Sequence, residues 1–109
     1  MAMSATGRIP IRLRGLADAR VLGRRVPVAD RPRARLLGLA LIRRARAGPG
    51  LLIPRCRSVH TFGMRFALDV AFLDRSGRAI AWRRGVPPGR FLREPGAEAA
   101  LELPAEPRR

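Results

Sequence analysis

Cys56 and His60 are the only cysteine and the only histidine of the chain, and they stand four residues apart. That pattern invites either a metal site or a thiolate activated by an imidazole. A zinc site needs three or four N, S or O ligands, and only Asp69 and Asp74 could complete one. A nucleophile pair needs the two side chains within hydrogen-bond reach, which an offset of four along one strand does not provide. The expectation is therefore a small buried thiol and a histidine satisfied by a neighbour, with no metal and no cofactor.

Asp69 is the more informative acid. It opens the apolar run Leu68-Asp69-Val70-Ala71-Phe72-Leu73, where an ionised carboxylate needs a partner. It can serve as the polar floor of a ligand pocket, with His60, Thr61 and Met64 lining the mouth. It can equally be a structural acid that ties a turn through backbone N–H groups, and this reading carries more weight. A third group is Asp30 to Arg35. Asp30 is expected to cap a helix whose free N–H groups, together with Arg31, Arg33 and Arg35, form a phosphate or carboxylate cradle. The competing reading is a solvated basic helix end. The chain has no glycine-rich phosphate loop, Ser-His-Asp order, HExxH or paired-carboxylate pattern. A hydrolase-like enzyme built on His60 and Asp69 is accordingly the minority alternative.

The elements that must position these groups can be read in outline. If residues 59–61 and 68–72 pair antiparallel across residues 62–67, His60 lies opposite Asp69, about 4.5–5.5 Å away at Cβ. Residues 8–14 alternate Arg8, Arg12 and Arg14 with Ile9, Ile11 and Leu13, which suggests an edge strand carrying Pro10. A second extended pair, residues 19–22 and 25–29, turns at Gly23. A helix is drawn over residues 31–46, apolar in its middle and arginine-rich at both ends, and stopped by Gly48-Pro49-Gly50. Residues 51–53 read as a buried strand, and Asp74 to Gly77 as a tight turn returning into a strand over residues 78–84. Residues 85–97 read as a long Pro/Gly loop, residues 98–103 as the last strand, and residues 104–109 as a disordered tail. The count is six or seven short strands and one helix in a single domain of 109 residues, so mainly β.

All 23 basic residues are arginine, against 8 acids, for a net charge of +15. A GC-rich genome explains the absence of lysine but not the shortage of acids. The excess is lopsided, +12 over residues 1–57 and +3 over residues 58–109. Such a field favours anionic partners without selecting one, and its effect is salt-dependent. Aromatic residues are 5% of the chain, and no base-stacking motif or recognition helix is evident, so sequence-specific nucleic acid binding is not expected. The longest apolar run, residues 36–42, is far short of the roughly 20 residues of a membrane span. The first 15 residues lack the apolar core of a secretory signal, so a cytoplasmic location is expected.

Five segments, in this order, carry a family pattern: Arg35-Leu36-Leu37-Gly38-Leu39, Gly50-Leu51-Leu52, residues 56–74, Val86-Pro87-Pro88 and Leu101-Glu102-Leu103-Pro104. Together they resemble the bacterial and archaeal family named domain of unknown function 192, over roughly residues 18–105. The resemblance implies a small antiparallel β-sandwich or jelly-roll-like barrel with one or two short helices. It brings no established activity, cofactor or substrate. Other branches of that family carry a Trp-Met-Lys-Asn-type sequence where this chain has Phe62-Gly63-Met64-Arg65-Phe66, and they lack the Cys/His pair. The function expected is a non-catalytic module that binds a small ligand or protein through the region from Val59 to Asp69. The first alternative is an arginine-rich binder of anionic polymers or membrane surface.

Overall fold

The pattern that decides the architecture is the alternation within two apolar strands, β5 (Leu68–Leu73) and β8 (Ala99–Pro104). A computed structural model of the chain describes residues 11–106. In it β5 and β8 pair antiparallel, with Val70 opposite Glu102 and Ala71 opposite Leu101. β3 (Leu51–Pro54) flanks β8 and β6 (Ala79–Val86) flanks β5, giving a four-stranded sheet in the order β3-β8-β5-β6. The last strand in sequence thus lies between two earlier ones.

Period-two alternation gives this sheet two buried faces. Leu68, Val70 and Phe72 join Leu51, Ile53 and Ala100 in one core, closed by Ala34, Leu39, Ala40, Val59 and Met64. Ala71, Leu73, Leu101 and Leu103 face the other way, under Val21 and Val26. Those two valines belong to a hairpin of β1 (Asp18–Val21) and β2 (Arg24–Pro27). Leu22 and Gly23 at its tip both have positive φ, as a two-residue turn of the primed type requires. The third sheet is a two-stranded pair of β4 (Ser58–His60) and β7 (Phe91–Arg93). The chain is mainly β, with antiparallel sheets that do not close into a barrel.

Several sequence expectations need correction. His60 lies opposite Phe91 and not Asp69, because β4 pairs with β7. The strand that pairs with it lies inside the stretch read as a Pro/Gly loop. Asp69 lies opposite Leu103. The helix α1 spans only Pro32–Leu37, and a short 3-10 turn follows at Arg44–Arg46. Its N-cap is Arg31, without a side-chain cap bond, and Asp30 is not the cap. Described residues Ile11–Leu13 form a 3-10 turn in place of a strand. Residues 8–10 of that expected strand, and residues 107–109 of the tail, lie outside the described residues. Pro104 ends β8, and the Ala105 N–H donates to the Ala67 carbonyl.

Candidate functional site

Helix α1 ends at Gly38 because the backbone there turns to φ 52° and ψ −127°, a conformation open to glycine alone. The turn brings the Gly38 Cα against Glu102. A Cβ at this position would stand 2.7 Å from Oε1 of Glu102. The Leu39 N–H donates to that same oxygen at 3.3 Å. Arg12 closes the turn from outside, its guanidinium donating to the carbonyls of Gly38, at 3.1 Å, and Ala40. Glu102 is 3% exposed. Burial pushes its carboxyl up to about 7, against the opposing pull of the Leu39 N–H and of Arg12. Burial in turn lowers the Arg12 pKa, and the Glu102 charge counters it.

A cavity of about 40 Å³ lies on this side of the sheet, and Glu102, His60 and Cys56 all line it. The ring of His60 is oriented by Nε2, which stands 3.1 Å from the Leu36 carbonyl. A carbonyl only accepts, so Nε2 carries the proton and Nδ1 of the neutral ring is an acceptor. Nδ1 is buried and no described group pairs with it. Phe62 stacks on the same ring at 5.5 Å between centroids. Cys56 is half-buried, and its thiol donates to the Ser58 carbonyl at 2.9 Å. Burial pushes the thiol up, with Glu102 adding to the rise, while the Ser58 contact and Arg35 pull it down. A protonated thiol tied to a carbonyl is a poor nucleophile.

The cavity adjoins an open basin of about 530 Å³ lined by Arg35, Arg55 and Arg57. Cys56 and Ser58 line both spaces and stand at their junction. Arg35 is anchored there by donating to the carbonyls of Pro54 and Arg55.

The other expected site residues lie elsewhere. Thr61 is fully buried, its hydroxyl donating to the Pro87 carbonyl and accepting from the Arg90 N–H, both at 2.7 Å. Met64 is packed in the core. Asp69 lies on the opposite side of β5 from the cavity, because it shares the face of Ala71 and Leu73. There two residues of β6, Arg84 and Gly85, oppose it in a bulge. Its carboxylate accepts from the Gly85 N–H at 2.8 Å and lies 3.7 Å from Arg84. Of the three arginines expected to share an anion cradle, Arg31 donates to the Gly15 carbonyl and Arg35 lines the basin. Arg33 lines a separate groove. Sequence reasoning passed over Glu102, although an acid inside the apolar run Leu101-Glu102-Leu103 sends the same signal as Asp69.

Among the described residues, no three His, Cys, Asp or Glu side chains are grouped so as to hold a metal ion. No described helix is long and apolar enough to cross a membrane. Neither the curated proteins nor the solved structures contain a match to the chain. The family model described as an uncharacterised ACR matches residues 16–107, which takes in every element lining the cavity. The chain therefore belongs to the family of domain of unknown function 192.

Proposed function

We propose that the chain is a cytoplasmic, non-catalytic binding module for a small anionic ligand, seated in the arginine basin beside α1. The observation that carries this reading is the buried Nδ1 of His60, an acceptor without a partner among the described residues, on a cavity next to that basin. A ligand with an anionic group and an adjacent O–H or N–H satisfies both halves. The anion meets Arg35, Arg55 and Arg57, and the donor reaches His60. The cavity has room for one or two waters or one small polar group, so only the donor end enters it. Non-catalytic is the better description because Cys56 is held as a thiol and the Asp69 carboxylate is engaged across the sheet.

The test uses inorganic phosphate and glycolate as probes. His60 is the only histidine, so its ring protons report the site without overlap. Titration should shift them saturably, and should slow alkylation of Cys56. The Arg55→Ala variant should weaken the response by about fivefold or more, the loss of one charge-assisted contact. Ring signals indifferent to both probes, with Cys56 labelled equally fast throughout, would exclude a ligand of this class.

A further inference from the structure

On the other side of α1 lies a groove of about 420 Å³ lined by Arg12, Arg33, Arg43, Arg46 and Arg65, with no acid among its lining residues. Arg33, Arg43 and Arg65 are exposed, and no described carboxylate pairs with them. Leu41 lines the same groove and is 65% exposed. Its backbone has φ 64° and its N–H donates to the Gly63 carbonyl at 2.8 Å, so the side chain is presented outward by a fixed turn. The next residue back from Gly63 is Phe62, also mostly exposed and braced from behind by the His60 ring. Two large apolar side chains thus stand in water beside a ring of arginines.

We infer that this face docks the chain on an anionic lipid surface, the arginines meeting phosphates while Leu41 and Phe62 enter the headgroup–acyl boundary. Charge and apolarity occur together here, and that combination selects the partner. A nucleic acid backbone would take the arginines and leave the two apolar side chains in water. A bilayer surface takes both, the charge adding to the apolar burial. The residues differ from those of the small-ligand basin, so the two readings stand or fall separately.

Co-sedimentation with phosphatidylcholine vesicles, plain or containing phosphatidylglycerol, tests the inference. The chain should bind the anionic vesicles only, and less as salt rises. The Arg33→Ala/Arg43→Ala/Arg65→Ala variant should bind on the order of a hundredfold more weakly, about fivefold for each charge. Leu41→Asn keeps a residue that tolerates positive φ. Combined with Phe62→Ser it should weaken vesicle binding about tenfold while leaving the affinity for a short DNA duplex unchanged. Thermal melts of both variants establish that they fold. No binding to anionic vesicles at low salt overturns the inference. So does full vesicle binding by the Leu41/Phe62 variant, which would make the face a general polyanion binder.

Discussion

Glu102 is a carboxyl group held in three ways at once: by burial, by the Leu39 N–H and by the nearby charge of Arg12. Burial dominates, and the sign of the consequence is fixed. The folded chain holds this proton up to about pH 7, whereas an unfolded chain releases it near 4.5. Between those values the native state binds more protons, so its contribution to stability falls as pH rises across the window and levels off above it. The full difference is about 3 kcal/mol, at 1.36 kcal/mol per unit. Urea unfolding at pH 5 and pH 8 should show most of that loss in the wild type and none in Glu102→Gln, which keeps the acceptor without the charge. Equal pH slopes in the two proteins would remove Glu102 as the cause. The rule that an acid within an apolar strand needs a partner applies to Asp69 and Glu102 alike. The partners themselves were not legible, because a bulge at Gly85 and a turn at Gly38 come from strands and loops far apart in sequence.

At the scale of elements, the turn at Asp74 was legible, since its carboxylate accepts from the Ser76 and Arg78 N–H groups as local geometry dictates. The hairpin at Gly23 and the strand β3 were legible for the same reason. The helix was not. Its apolar stretch from Leu36 to Ile42 fits a buried helix by periodicity alone. The chain instead breaks at Gly38 and buries Leu39, Ala40 and Ile42 together, leaving Leu36 and Leu41 exposed. Strand pairing was misread for a similar reason, because β4 finds its partner about thirty residues on and passes over its sequence neighbour. The break has a direct test. Gly38→Ala combines a disfavoured φ with a Cβ driven into Glu102, and should cost on the order of 3 kcal/mol by urea unfolding. A loss under 1 kcal/mol would mean that the turn relaxes without effort.

For the whole molecule the decisive feature is the place of β8. It pairs with β3 on one side and β5 on the other, and it supplies Ala100 to one core and Leu101 and Leu103 to the other. A chain cut after Glu98 should therefore fail to fold, with both β3 and β5 left as open apolar edges. A sharp thermal transition in that fragment would contradict this. Ribosomes deliver the chain from its N-terminus, and no length of it that stops short of β8 contains the finished four-stranded sheet. The nascent protein must wait until β8 slides between two strands that arrived long before, so the four-stranded sheet closes only after residue 104 has emerged.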